Sequence, residues 1–408
     1  MRIRQILLAA ALAFCVSAPA SADPAAREAT VSALETGALA GGAATLAGMI
    51  AADGTNADAR FGLGLIEFIQ SVERLSQGLY RYGLQPPQSF LMPIVRLPVP
   101  ENPNPEPVDY DKFRALIVAF ADDLARAEAT LAGVKATDDV KIRLNLIEVR
   151  YDADGNGSVD PGERFTDALA RFLEADPAEL GAAPFYVSFD AADAFWLRGY
   201  CNVLMALDNF LLAHDWRESF DVSFHIFFPR AHSPFQVALA GPSDSMFGSE
   251  VAIADLISFL HIRWPVVEPE RMAAVRTHLK QMVALSRENW AAILAETDDD
   301  SEWVPGPGQS GATGATVSRD QVDAWYAVLD EVEALLDGTK LMPHWRFDAG
   351  INFRRVFEEP RPFDLVLWIT GPSALPYLEE GDILTSEEWA AVTSAFQGEF
   401  GSYAIWFN

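Results

Sequence analysis

The chain is poor in cysteine, with only Cys15 and Cys201 among 408 residues. Cys15 belongs to an N-terminal segment that we expect to be removed, so the mature chain cannot form an intrachain disulfide. Its stability must then come from a hydrophobic core, which 26 Phe, 10 Trp and a hydrophobic share of 50% can supply. Cys201 lies in an apolar helical pattern, and we predict a buried, unreactive thiol there.

Basic residues are also scarce, because 30 Lys and Arg stand against 58 Asp and Glu. Without Arg2 and Arg4 of the N-terminal segment, 28 basic side chains remain against 58 acidic ones, a formal charge of -30. This balance argues against nucleic acid and anionic lipid surfaces as partners. The carboxylates are scattered, apart from short runs such as 298–300, which indicates a solvated surface.

Long apolar runs are missing, so we predict no membrane span. The N-terminus instead has the order of a secretory signal peptide: Arg2 and Arg4, an apolar run from Ile6 to Ala18, and small residues at 20–22. We predict cleavage after Ala22 and an exported protein, periplasmic or extracellular. Phe14 precedes Cys15 where a lipoprotein signal needs a small residue, so we reject lipidation.

Common catalytic signatures are absent: the sequence contains no HExxH, GxSxG, CxxC or phosphate-binding glycine loop. The densest group of reactive side chains runs from His214 through Glu218 and His225 to His232. Three histidines can bind zinc if the chain folds back, but this spacing matches no zinc motif. Five tryptophans could line a groove, although such spacing is more typical of a core: Trp264, Trp290, Trp303, Trp325 and Trp345.

What the sequence does contain is a twelve-residue acidic loop, residues 152–163, reading DADGNGSVDPGE. Oxygen ligands fall at positions 1, 3, 5, 7, 9 and 12: Asp152, Asp154, Asn156, the carbonyl of Ser158, Asp160 and Glu163. Gly157 occupies position 6, where such a loop turns sharply. Alternate residues of a tight loop supply the oxygen shell that a hard cation requires.

This loop resembles that of the EF-hand family, and the likeness covers about thirty residues. We predict an entering helix over 138–150 and an exiting helix over 161–174. The resemblance implies one Ca²⁺ site, with Glu163 as bidentate ligand and Val159 docked against a short extended segment or degenerate loop. One alternative is a plain Asp/Gly/Asn turn. Another is a free-standing or dockerin-type calcium loop, which the predicted entering helix disfavours.

The periodicity predicts a mainly α fold: an irregular multi-helix domain with the EF-hand, a proline-rich strap and a few short strands. We divide the chain into a signal peptide (1–22), a helical hairpin (23–85), the strap (86–108), a helical region with the loop (109–180) and a C-terminal, mainly helical region (181–408) packed with the preceding part. Alternation over 220–228 suggests a strand, with a tilted helix as the alternative, and 363–369 is ambiguous between strand and helix.

These observations favour an exported, acidic, soluble protein that binds calcium at one loop, with the ion stabilising the fold. Its wider task is open, and binding of an envelope component is one expectation. The alternative is a calcium-stabilised hydrolase that uses the region from His214 to His232.

Overall fold

A computed structural model describes residues 22–85, 99–160, 162–167, 183–235, 257–259 and 261–406. These residues form a mainly helical structure, as predicted. The predicted signal peptide, most of the proline strap and most of the exiting helix lie outside the described residues. The helices are α1 Pro24–Thr36, α2 Leu39–Ala52, α3 Ala57–Tyr82, α4 Tyr110–Leu131, α5 Ala191–Ala213, α6 Arg217–Ser223, α7 Pro269–Ile293, α8 Arg319–Asp337, α9 Phe353–Glu358, α10 Leu365–Thr370, α11 Ser386–Thr393 and α12 Phe400–Trp406.

Two small antiparallel sheets accompany the helices. Strands β1 Lys141–Asn145 and β2 Tyr186–Asp190 pair in a register that sets Lys141 opposite Asp190. A second sheet has the order β3 Met342–His344, β4 Phe347–Ile351 and β5 Leu378–Glu379. The first sheet leads directly into the acidic loop and into α5, so it determines where both lie.

The predicted N-terminal hairpin consists of three helices rather than two. Gly37 adopts a left-handed φ of 73° and ends α1, so the chain turns before α2 begins. Asn56 caps α3 through a 2.9 Å bond from the Ala59 N–H, as its position before the helix predicts. The three helices and β1 share one core, which includes Leu34, Leu46, Phe61, Ile66, Ile142 and Leu144.

The predicted entering helix over 138–150 is wrong. Residues 141–145 form β1, and a single 3-10 turn follows at Leu146–Glu148. The burial pattern explains the difference, because Val140, Ile142 and Leu144 are buried at a period of two. The 3-10 turn shifts this phase, and Ile147, Val149 and Tyr151 then continue the alternation. Apolar residues therefore stand at even positions before the turn and at odd positions after it, and together they resemble the apolar face of a helix.

The predicted strand over 220–228 is also wrong, because α6 and a 3-10 turn at Phe224–Ile226 occupy it. Phe220 and Phe224 lie four residues apart with ring centroids 4.4 Å from each other. They pack with Phe113 and Trp216 in an aromatic cluster that also contains Tyr110 and Phe228. Tertiary packing of these rings decides the local structure here.

Other helices follow the sequence closely. The sequence patterns Ser318 to Gln321 and Thr385 to Glu388 are typical of capping boxes, and both boxes are formed, opening α8 and α11. Cys201 on α5 is fully buried beside Leu124 and Met205, and burial raises the pKa of its thiol to about 12. Among the described residues, no helix combines the length and apolar character that crossing a bilayer requires.

Candidate metal centre

The acidic loop is closed at its base by an antiparallel bridge between Arg150 and Arg164. The Tyr151 N–H donates to the Glu163 carbonyl at 3.3 Å, and the Phe165 N–H donates to the Val149 carbonyl at 2.8 Å. Residues 165–167 begin a helix directly after the loop. The loop therefore leaves a strand and a 3-10 turn and enters a helix, with its two ends clamped together.

Inside this base, three carboxylates converge. Oxygen atoms of Asp152, Asp154 and Glu163 all lie within 4.8 Å of one another. Glu163 is 5% exposed and accepts hydrogen bonds from the N–H groups of Ala153, Asp154 and Asp160. Positions 1, 3 and 12 of the predicted ligand set thus meet at one point, as spacing alone predicts.

The remaining predicted ligands lie at the exposed rim. The Asn156 side chain donates to Asp160 at 2.7 Å and to Asp154 at 3.2 Å. The same Asn156 accepts from the Ser158 N–H at 2.7 Å through its amide oxygen. Asn156 and Asp160 are therefore held at the mouth of the loop, next to the three converging carboxylates.

Backbone geometry in the loop depends on glycine. Gly155 and Gly157 adopt φ values of 74° and 83°, in the left-handed region that side chains disfavour. Their N–H groups, with that of Asn156, point at Asp152, whose carboxylate accepts them at 2.7 to 3.2 Å. Such a ring of donors orders the Asp152 carboxylate before any cation enters.

Two side chains of α3 also position the loop, and sequence analysis did not find them. Glu73 accepts the Asp152 N–H at 3.0 Å, and the Gln77 amide donates to the Asp152 carbonyl at 2.8 Å. They lie four residues apart on one helical face, but nothing in that spacing indicates a partner some eighty residues away. On the opposite side the Arg150 N–H donates to the Leu34 carbonyl at 2.9 Å, which ties the loop base to α1.

The electrostatics of the centre favour a cation. Burial raises the pKa of Glu163 against three backbone hydrogen bonds that lower it, and the charge of Asp154 raises it further. Burial likewise raises the pKa of Glu73, with contributions from Asp152 and Glu163. A positive ion among these groups would remove the repulsion and offset their desolvation.

Val159 at loop position 8 is not freely solvated. It is half-buried against the turn between α1 and α2, so close to Gly37 that a β-carbon there would lie 2.4 Å from Val159 Cγ2. The residue docks on a helix–helix turn, whereas the resemblance implied a short extended segment or a degenerate loop. A groove of about 500 Å³ opens between this turn, the loop and α3.

The histidines of the alternative site do not form a metal-ligating group with one another in the part of the chain that the structure describes. His214 is buried, with its Nδ1 2.7 Å from the Phe210 carbonyl, and burial lowers its pKa. Glu218 and His232 are exposed. Of the five tryptophans, Trp264, Trp290 and Trp325 are buried in two separate clusters, Trp303 is half-buried and Trp345 is 79% exposed.

Comparison of the chain with protein-family models, with curated proteins and with solved structures gives no match. Its function must therefore be argued from the residues of the site.

Proposed function

We propose that residues 152–163 bind one Ca²⁺ ion and that the ion stabilises the fold of an exported protein. The observation that carries the proposal is the convergence of Asp152, Asp154 and Glu163 inside a clamped twelve-residue loop. The proposed ligand set is completed by three more oxygen donors: the Asn156 side chain, the Ser158 carbonyl and the Asp160 carboxylate. The ligand spacing is that of an EF-hand, whereas a strand and a 3-10 turn replace the entering helix.

The donor chemistry supports calcium over other metals. The candidate ligands are carboxylate, amide and carbonyl oxygens, which suit hard cations, and they include no thiolate or imidazole. A loop that offers six oxygen positions, one of them a carboxylate able to bind through both oxygens, fits the higher coordination number of Ca²⁺. Magnesium prefers fewer protein ligands and keeps several waters.

The surroundings of the loop support a stabilising role over a sensing one. A sensor opens the pair of helices that flank its loop and so exposes apolar surface. Here the entering segment is β1, paired residue by residue with β2 from Lys141 to Asn145. Further contacts hold the residues between β1 and the loop. Arg150 donates to Leu34 of α1, and the backbone of Asp152 bonds to Glu73 and Gln77 of α3. Opening the loop in that manner would break a sheet and two tertiary contacts, so an ion here braces three elements.

The contacts of Asp23 are consistent with export and cleavage after Ala22. The Asp23 N–H donates to the buried Asp58 carboxylate at 2.7 Å, and Arg27 contacts the same carboxylate at 2.9 Å. An α-ammonium group released by cleavage would place a second positive charge on Asp58. The N-terminus that we propose for the mature protein would thus pair with the oppositely charged Asp58.

Titration calorimetry on the metal-stripped protein tests the calcium site. We expect Glu163→Gln to weaken binding at the loop by at least about 100-fold, because even an outer-shell partner is worth 10 to 100-fold. Glu387→Gln is the matched control, since it removes one exposed carboxylate in the first turn of α11, far along the chain from the loop.

Equal calcium affinity in wild type and Glu163→Gln would overturn the proposal. Far-ultraviolet circular dichroism of both metal-free proteins checks that the substitution leaves the fold intact. An affinity loss of the same size in Glu387→Gln would show that overall charge, instead of the loop, governs binding.

A further inference from the structure

A second group of carboxylates converges away from the loop, where Asp190, Glu296 and Glu302 bring oxygen atoms within 4.8 Å of one another. We name it the β2 cluster, after the strand that ends at Asp190. Asp190 also caps α5, Glu296 lies three residues after α7, and Glu302 lies in the loop that follows. Two segments more than a hundred residues apart therefore build it, one ending at Asp190 and the other containing Glu296 and Glu302.

Ser188 provides an independent sign that the β2 cluster holds a ligand. It is 3% exposed, and its Oγ has no hydrogen-bond partner among the residues that the structure describes. A buried hydroxyl without a partner is destabilising unless something occupies the space that it faces.

The pairing of β2 fixes the direction of Ser188. Residues two apart on a strand share a face, so Ser188 and Asp190 point to the same side. Glu302 forms a parallel bridge with Ser188, and bridge partners also share a face. The unpaired hydroxyl is therefore directed to the side on which Asp190 and Glu302 meet Glu296.

No basic side chain neutralises the β2 cluster in the described part of the chain, where none lies within ion-pair distance of Asp190, Glu296 or Glu302. Lys141 stands opposite Asp190 in the sheet, but its ammonium group is paired with Asp298 at 3.2 Å and Asp300 at 2.5 Å. The ammonium group of Lys141 is therefore paired with two other carboxylates and does not neutralise the β2 cluster.

Few neutral donors reach the β2 cluster among the described residues. The Gln309 amide donates to Glu296 at 3.0 Å, and the Asp300 N–H donates to Glu302 at 2.9 Å. Asp190 accepts two backbone N–H groups, that of Ala192 at 2.7 Å and that of Asp193 in the capping box of α5. Burial raises the pKa of all three carboxyls, that of Glu296 to about 8. The charge of Asp190 raises the pKa of Glu296 and of Glu302 further.

We infer that the β2 cluster is a second site for a hard divalent cation, with Asp190, Glu296, Glu302 and the Ser188 hydroxyl as ligands. Three carboxylates and a hydroxyl form an all-oxygen set, which suits calcium or magnesium. Calcium is the better fit, because magnesium is usually bound through only one or two carboxylates and keeps several waters, whereas this site offers three carboxylates. This site is independent of the loop at 152–163.

Terbium luminescence can detect this site selectively. Tb³⁺ is an oxygen-seeking substitute for Ca²⁺, and emission sensitised by tryptophan reports an ion close to an indole ring. Trp303 follows Glu302 directly and packs against Phe189 and Trp196. By contrast, the described aromatic neighbours Tyr80 and Tyr151 near the loop have no indole ring.

The experiment uses the metal-stripped protein that carries Glu163→Gln, so that the loop at 152–163 no longer binds the ion tightly. We expect tryptophan-sensitised terbium emission that calcium displaces, and loss of that emission by at least about tenfold when Glu296→Gln is added. Ser188→Ala should weaken binding to a smaller extent while leaving the metal-free protein as stable or more stable, because it removes an unpaired hydroxyl. Glu387→Gln is again the control.

Two results would overturn this inference: absence of sensitised emission in Glu163→Gln, or emission that Glu296→Gln leaves unchanged. The single variant Glu296→Gln separates this outcome from failure of the loop proposal, since it retains residues 152–163. If Glu296→Gln unfolds the chain, Ser188→Ala gives the same test with a smaller change. Unaltered terbium affinity in a folded Ser188→Ala protein would exclude the hydroxyl as a ligand.

Discussion

The loop at 152–163 and the β2 cluster both gather three carboxylates, but they compensate the charge differently. In the loop, Asp152 and Glu163 each accept three backbone N–H groups. In the β2 cluster, two backbone N–H groups reach Asp190, one reaches Glu302, and Glu296 accepts from the Gln309 amide. A local loop orders its charges with its own backbone, whereas carboxylates brought together by tertiary contacts depend more on a cation.

Calcium removal should give the largest effect and tests both regions at once. An ion that binds only the folded chain contributes about 2.7 kcal/mol at a hundredfold excess over Kd, so two independent sites contribute about 5 kcal/mol. We expect chelation to lower the calorimetric Tm by several degrees. Glu163→Gln and Glu296→Gln should each lose part of this shift. A calcium-dependent Tm that persists in the double variant would contradict both assignments.

Asp208 on α5 sharpens the comparison, because it is a buried carboxyl without a cluster. Its Oδ2 has no hydrogen-bond partner, and burial raises its pKa to about 7. A folded pKa above the unfolded value means that the folded state binds the proton more tightly, so stability declines as pH rises from about 4 to about 7. A shift of about three pKa units lowers the free energy of unfolding by about 4 kcal/mol at most across this pH range.

We therefore expect Asp208→Asn to raise the free energy of unfolding at pH 8 and to flatten its decline between pH 5 and 8. Urea unfolding across that range measures both effects in the presence of excess calcium. Because Asp208 belongs to no carboxylate cluster in the described part of the chain, calcium should not alter the difference between variant and wild type. Parallel pH curves for the two proteins would refute the assigned cause.

Glu73 probes how far tertiary contacts assist the loop. Glu73→Ala removes the acceptor of the Asp152 N–H and should weaken calcium binding at the loop by about 10-fold, as loss of an outer-shell partner does. Glu73→Gln keeps an acceptor oxygen and removes only the charge, so it should retain more of the affinity. Calorimetry compares the two variants. Neither should change terbium emission from the β2 cluster, and a change there would show that the regions are coupled.

The smallest expected effect is on shape. Because β1 is paired with β2 and the loop base is bridged, calcium should leave the radius of gyration and the binding of an apolar dye nearly unchanged below the melting transition. Small-angle scattering and dye fluorescence with and without calcium measure this. A large opening at constant temperature would replace the stabilising role with a switching one.

Much of the helical framework could be predicted locally. Capping boxes at Ser318 and Thr385, and apolar stripes over α4, α5 and α7, are short-range signals that hold in the structure. The segment over 138–150 could not be predicted reliably, because its apolar residues fit a helical face and only pairing with Val187 and Phe189 makes β1. The same applies to Phe220, whose aromatic neighbours include Tyr110 and Phe113 of the distant helix α4.

The sequence by itself determined the twelve-residue ligand pattern, since a calcium loop draws its oxygens from alternate residues of one segment. It also determined where Gly155 and Gly157 allow the chain to turn. Only the tertiary structure decided that Glu73 and Gln77 hold the loop, and that Asp190, Glu296 and Glu302 meet. The physical reason is range: backbone geometry acts over a few residues, whereas strand pairing and helix packing join residues a hundred positions apart.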